Sequence, residues 1–331
     1  MNVLVTGGAG YIGSHCVKIL LEKGYVVSVI DNLSTGYKQA VDGRASFYNI
    51  NIKDKEAVKN VLLKDKIESV IHFAAYSLVG ESMKKPLKYY DNNVYGTKVL
   101  LDAMEEAGVK NIIFSSTAAV YGDKDQMPIT EKMLETPTNA YGETKLAMEK
   151  MMRWADIAHD IKHIALRYFN VAGAYHTGEI GESHNPETHL IPLILQVPLG
   201  KREFISIFGD DYDTPDGTCI RDYIHIEDLI EAHILAMEHL KVSKQSDFFN
   251  LGSGEEFSVL EMIEAARKVT GHSIPAKTTP RRAGDPARLI ASSKKAETIL
   301  GWNKVHNDVE GIIASAWKFH QLNKEGFSND L

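Results

Sequence analysis

Thr6-Gly7-Gly8-Ala9-Gly10-Tyr11-Ile12-Gly13 is the stretch from which the fold can be read. Gly8, Gly10 and Gly13 satisfy G-x-G-x-x-G, and Gly7, Gly10 and Gly13 satisfy the wider G-x-x-G-x-x-G. The apolar run Asn2–Thr6 before it reads as a strand and residues 13–23 after it as a helix, the context this spacing requires. Glycines there allow a tight turn and let backbone amides approach a pyrophosphate, while the helix start adds partial positive charge. The next strand, 25–30, delivers Asp31 eighteen residues beyond Gly13. A carboxylate at that point accepts from a ribose 2′-hydroxyl and repels a 2′-phosphate, so the expected cofactor is NAD rather than NADP. A glycine-rich turn without a ligand would explain the glycines alone. The strand, the helix and Asp31 together weigh against it.

Working outward, strands are expected at 69–73, 111–115 and 163–168, and helices at 94–106 and 141–159. Strands alternating with helices imply right-handed crossovers and an α/β fold built on a Rossmann-like, doubly wound parallel sheet. Strands buried on both faces should be continuously apolar, as Val26-Val27-Ser28-Val29-Ile30 nearly is. The pattern changes after Asn170. Gly, His and Pro become frequent over 173–192, a late strand is expected at 248–251, and 258–270 reads as a helix with Ser258 and Glu261 forming a capping box. The expected division is a dinucleotide-binding domain over 1–170 and a smaller α/β lobe over 171–331, with part of the chain near 220–252 returning to the first domain. The polar tail 323–331 is expected to fray.

With 331 residues, two cooperating lobes are a fair expectation. A formal net charge of −7 does not advertise a nucleic-acid surface. Cys16 and Cys219 are too few for a disulfide framework or a zinc site, so reduced thiols and no metal are expected. Met1-Asn2-Val3-Leu4-Val5 shows no charged-then-apolar leader, and no apolar run is long enough for a bilayer. A cytoplasmic protein with no membrane partner is expected.

Tyr141-Gly142-Glu143-Thr144-Lys145 places a phenol and an ammonium four residues apart, on one face of a helix. A nearby cation favours phenolate and should draw the Tyr pKa toward working pH. The spacing alone is common on helices. It gains meaning from Ser115-Ser116-Thr117 at the carboxyl end of a parallel strand, where such sheets bind ligands, although Ser and Thr there also serve simply as caps.

These motifs resemble the extended short-chain dehydrogenase/reductase superfamily and, within it, the UDP-glucose 4-epimerases. The resemblance spans nearly the whole chain. Its first-lobe carriers include Asp31-Asn32-Leu33, His72-Phe73-Ala74-Ala75 and Tyr90-Asp91-Asn92-Asn93-Val94. The more specific ones lie in the second lobe: Phe208-Gly209-Asp210-Asp211-Tyr212, Gly217-Thr218-Cys219-Ile220-Arg221-Asp222-Tyr223 and Pro280-Arg281-Arg282-Ala283-Gly284-Asp285. The resemblance implies that Tyr141 is the base for the sugar 4-hydroxyl, that Lys145 holds the nicotinamide ribose, and that Thr117 bonds the 4-oxygen. Gly7, Gly10, Tyr11, Ile12, Gly13, Asp31, Asn32, Ser34, Thr35, Asn51, Ile52, Phe73, Ala74, Ala75, Ser77, Asn92 and Phe169 would line the NAD site. Asn170, His189, Leu190, Ser206, Ile207, Phe208, Arg221, Arg282, Asp285 and Leu289 would hold the UDP-sugar. Arg221 and Arg282 also suit a diphosphate on charge grounds; surface ion pairs with Asp222 or Asp285 are the competing explanation. Three positions depart from the family pattern: Asn51 replaces a common acid, Ser77 a Lys found in several relatives, and Thr117 a Ser.

The same fold serves sugar-nucleotide 4,6-dehydratases, which typically carry Asp-Glu just after the Thr; here Ala118 and Ala119 stand there. Superfamily decarboxylases usually place a Glu there. A simple reductase, or a sensor that binds NAD without catalysis, would not need Thr117, Tyr141, Lys145 and the second-lobe motifs together. His72 and His225 are expected to be structural. The reaction implied is redox-neutral inversion at sugar C4 through a 4-keto sugar, with NAD retained, in a homodimer. An ungapped alignment beyond Asp285 puts Leu289 at the wall near the sugar 2-substituent, with Arg288 the alternative if one residue is gapped. Leu289 leaves room for N-acetylated sugars.

Overall fold

The computed structural model describes residues 1–282, 285–306 and 308–328. Ala283 and Gly284 of the Arg-Arg-Ala-Gly-Asp string, and 329–331 of the tail, lie outside them. The chain opens with β1 (Asn2–Thr6), α1 (Tyr11–Glu22), β2 (Val26–Asp31) and β3 (Ser46–Asn49). α2 (Lys55–Lys64) leads to β4 (Ser69–His72), then come the short α3 (Val79–Lys84) and α4 (Pro86–Tyr89), a π-helical stretch Tyr90–Tyr95 and α5 (Gly96–Ala107). β5 (Asn111–Ser115), α6 (Ala140–His159) and β6 (Lys162–Tyr168) follow. The second half holds β7 (Asn170–Ala172), α7 (Leu190–Leu195), β8 (Ile205–Phe208), β9 (Ile220–Arg221), β10 (Tyr223–His225), α8 (Ile226–Ser243) and β11 (Asp247–Leu251). β12 (Phe257–Ser258), α9 (Val259–Thr270), β13 (Ala276–Thr279), β14 (Arg288–Leu289), α10 (Lys294–Leu300) and α11 (Val309–Leu322) complete it.

Seven strands form one parallel sheet in the order β11-β6-β5-β4-β1-β2-β3. The order reverses beside β1, so the carboxyl ends of β1 and β4 diverge into a crevice, the usual ligand position in such sheets. Every residue of β4, and all but the first of β1 and β5, is buried, as strands covered on both faces must be. One apolar cluster packs α1 and α8 on one face; another packs α2, α5 and α6 on the opposite face. β11 enters this sheet from the far half of the sequence by pairing with β6. A third cluster, with α7, α9 and α11 around β8, makes the core of the second lobe.

The α9 start carries the capping box: the Ser258 hydroxyl accepts from the Glu261 amide, and the Glu261 carboxylate accepts from the Ser258 amide. Over 323–328 the tail differs from expectation. Asn323 bonds the Phe319 carbonyl, the Phe327 amide donates to Ser183, and the Phe327 ring packs on Phe319 and Tyr37. Aromatic burial thus holds 323–328 in place. Among the described residues, no helix is long and apolar enough to cross a membrane.

Candidate active site

A cavity of about 1170 Å³ opens at the carboxyl end of the sheet and continues into the second lobe. Its floor is the glycine turn. A Cβ on Gly13 would lie 2.1 Å from the Gly7 carbonyl oxygen, and one on Gly7, at φ +74°, only 2.7 Å from the Ala74 amide. Only glycine lets these backbones touch. Gly10 caps α1 without a side chain, and the first turn carries no acid. The unsatisfied amides of that turn therefore face the cavity, a ready anion site. At the end of β2, the Asp31 carboxylate accepts from the Ala9 amide at 2.9 Å and the Leu33 amide at 2.8 Å. Each oxygen keeps a lone pair for a further donor. Uncapped amides beside an acceptor carboxylate are the donor and acceptor set that a dinucleotide pyrophosphate and ribose need.

Gly7, Gly10, Tyr11, Ile12, Gly13, Asp31, Asn32, Ser34, Thr35 and Ile52 all border the cavity, as do Phe73, Ala74, Ala75, Ser77, Asn92 and Phe169. Asn51 does not: its side chain is exposed and accepts from the Lys53 amide at 3.0 Å, while Ile50 and Ile52 form the wall. Local turn formation has claimed the Asn51 side chain.

Asn139 caps α6 by accepting from the Gly142 amide, which sets Tyr141 in the first turn and Lys145 one turn later. The Lys145 ammonium donates to the Ser115 carbonyl at 2.7 Å and lies 5.9 Å from the Tyr141 ring centroid. Thr117 does two jobs. Its hydroxyl oxygen caps the short turn Ala118–Val120 by accepting from the Ala119 amide, and the same hydroxyl lies beside the Tyr141 phenol and favours its ionised form. The expected lowering of the Tyr141 pKa is not what this geometry produces. Burial pushes the phenol up to about 12, with Thr117 opposing it. Burial likewise draws Lys145 down to about 7, opposed by the Glu149 carboxylate.

Beneath the pair lies a buried network. Ser116 donates to Glu149, which also receives Arg167; Arg167 further bonds Tyr121 and Glu135. His72 is held between Thr6 and Thr97 hydroxyls, and His225 caps α8, both structural as expected.

In the second lobe, Asn170, His189, Leu190, Ser206, Phe208, Arg221, Arg282, Asp285 and Leu289 border the same cavity. Ile207 does not; β8 alternates, and this side chain is buried in the lobe's core. Arg221, buried, pairs with Asp285, and the Arg282 guanidinium lies 3.9 Å from the Phe208 ring centroid. Asp222 is instead a structural latch, accepting from the amides of Ser253, Gly254 and Ala291. Sequence reasoning missed several wall residues, among them Glu182, His184, Glu187, Arg202 and Tyr223. Glu182, His184, Glu187 and His189 converge here, a grouping signalled only by their Glu-x-His-x-x-Glu-x-His spacing.

Residues 3–252 match the model of the NAD dependent epimerase/dehydratase family. The chain is 56% identical over 329 residues, 99% of each chain, to a UDP-glucose 4-epimerase of Lacticaseibacillus casei. It is similar to the crystal structure of UDP-glucose 4-epimerase from Brucella ovis in complex with NAD, with 46% identity, TM-score 0.93, and 96% and 97% of the two chains covered. It is also similar to the UDP-Glc/GlcNAc 4-epimerase of Campylobacter jejuni, with 41% identity, TM-score 0.85, and 97% and 99% covered. The chain therefore belongs to the NAD dependent epimerase/dehydratase family and, within it, to the UDP-glucose 4-epimerases.

Proposed function

We propose that the protein interconverts UDP-glucose and UDP-galactose by redox-neutral inversion at sugar C4, serving galactose metabolism. The observation that carries this reading is the convergence of Thr117, Tyr141 and Lys145 on one cavity shared with the Arg221–Asp285 pair. Residues 7–13 and Asp31 would hold NAD, which when bound would supply the hydride acceptor and donor. Tyr141 takes the 4-hydroxyl proton as the 4-keto sugar forms and returns it after the sugar has turned. Thr117 orients the 4-oxygen between them, and Lys145 holds a ribose hydroxyl. Arg221 and Arg282 grip the diphosphate through charge-assisted bonds, so the sugar can turn while the nucleotide stays fixed. Ala118 and Ala119 border the cavity where a dehydratase needs proton-transferring carboxylates.

The proposed division of labour assigns 1–170 to NAD and 171–331, which carries Arg221, to the UDP-sugar, with part of the chain near 220–252 returning to the first domain, in keeping with the pairing of β11 with β6. A homodimer is proposed, in keeping with Met83, Leu87, Tyr90, Tyr95, Trp154 and Ile157, which stay exposed on α3, α4, the π-helical stretch and α6. The proposed compartment is the cytoplasm, in keeping with two free, buried cysteines. Leu289 on the cavity wall supports a finer reading, that UDP-GlcNAc and UDP-GalNAc are also substrates. The test is to incubate pure protein with UDP-galactose and no added reductant. UDP-glucose should accumulate to equilibrium, and its absence would refute the reading.

A further inference from the structure

Between β7 and α7 the chain carries Glu182, His184, Glu187 and His189, whose donor atoms all lie within 4.8 Å of one another. His184 Nδ1 stands 3.2 Å from Glu182 Oε1 and 3.6 Å from Glu187 Oε2, and His189 Nδ1 also meets Glu182 Oε1. The two imidazole rings cross at 84° with centroids 5.3 Å apart. The Glu182 and Glu187 side chains are only 4% and 7% exposed, and carboxylates so far from water are paired or bind metal.

We propose that these four side chains form a closed site for a zinc-type divalent cation. Metal–ligand bonds of about 2.1 Å in a tetrahedral site give donor–donor edges of roughly 3.4 Å, which the 3.2 and 3.6 Å separations at His184 bracket, while His189 and Glu182 stand closer and would part to admit the ion. Imidazole nitrogens favour zinc over magnesium or calcium, and the lack of thiolate in the set disfavours copper(I). Charge balances: two carboxylates neutralise one divalent ion while both imidazoles stay neutral. The metal-free arrangement needs two protons in its place. Four protein ligands leave no open position, so the ion's role is structural. The His184 ring meets the Tyr11 ring edge-on at 6.2 Å, and His189 precedes Leu190 at the start of α7. The ion would therefore brace the loop between the glycine turn and the second lobe. Cysteine counting could not find it, because the ligands are His and Glu.

Among the described residues one other such group exists, His225, Glu227 and His306. Both His225 nitrogens are engaged there, by the Glu227 amide and the Ser315 hydroxyl, so it serves as a control. The inference does not depend on the epimerase reading, because its readouts are metal content and stability. Full-length protein is stripped with chelator, then titrated with zinc chloride by calorimetry and analysed by mass spectrometry for metal. The wild type should hold about one zinc per chain, and its Tm should rise by a few degrees. The double variant His184→Ala/Glu187→Ala should bind at least about 100-fold more weakly and lose the Tm response, whereas His306→Ala should keep both. If the double variant does not fold, Glu187→Gln should show the same direction. Absence of stoichiometric zinc in the wild type, or zinc retained by the loop variants, overturns the proposal.

Discussion

The Lys145 ammonium donates a 2.7 Å hydrogen bond to the Ser115 carbonyl, tying the second turn of α6 to the end of β5. Thr117 stands two residues beyond that carbonyl, and Tyr141 one turn before that lysine. The reacting groups are thus held by a sheet end and a helix start already packed together, and each can be removed separately.

Tyr141→Phe removes only the proton-transferring oxygen. Turnover should fall by about 10²–10⁴-fold, while UDP affinity by titration stays close to wild type. Near-normal turnover would show that another group is the base.

Asp31 accepts from two backbone amides and keeps lone pairs facing the cavity. NAD should bind much more tightly than NADP, and Asp31→Ala should narrow that gap. Calorimetry on cofactor-free protein checks it; equal affinities in the wild type would contradict the assignment.

Glu149 and Arg167 are both buried, and Arg167 is fully so. Glu149→Ala leaves a desolvated guanidinium with only the Glu135 carboxylate beside it. The expected loss is about 3–5 kcal/mol of stability, read from denaturant midpoints, and Glu149→Gln should lose less.

Burial, with some help from the Lys145 charge, lowers the His72 pKa to about 3 from an ordinary 6.5. The unfolded chain then binds the proton more readily than the fold does. The stability from a neutral His72 is complete above pH 6.5 and is lost as pH falls toward 3. His72→Gln should flatten that part of the stability–pH curve. An unchanged slope would mean that other groups carry it.

Leu289 borders the cavity and packs against the cluster of Ala118, Val120, Tyr121, Ile129 and Leu146, whereas Arg288 does not border it. The wild type should act on both UDP-glucose/galactose and UDP-GlcNAc/GalNAc. Leu289→Tyr should lose the N-acetyl pair by a steric clash, which discriminates more sharply than pocket attraction. The ratio of kcat/KM for the two pairs decides it. N-acetyl activity persisting in the Tyr variant would place the wall elsewhere.

Sequence alone determined the parallel sheet and the glycine turn, because a buried strand is a continuous apolar run and a turn against backbone tolerates only glycine. β1 and β5 were legible to the residue, and the Ser258–Glu261 cap follows from local spacing. β3 and α2 were missed: β3 is a sheet-edge strand, Ser46-Phe47-Tyr48-Asn49, without the apolar run of a central strand. Tertiary structure decided the rest. It alone brings β11 beside β6, turns Ile207 inward, spends Asn51 on a local turn and sets the ionisation of Tyr141 and Lys145. Those outcomes depend on which groups lose water and which distant atoms meet them, and neither is written in any local spacing of residues.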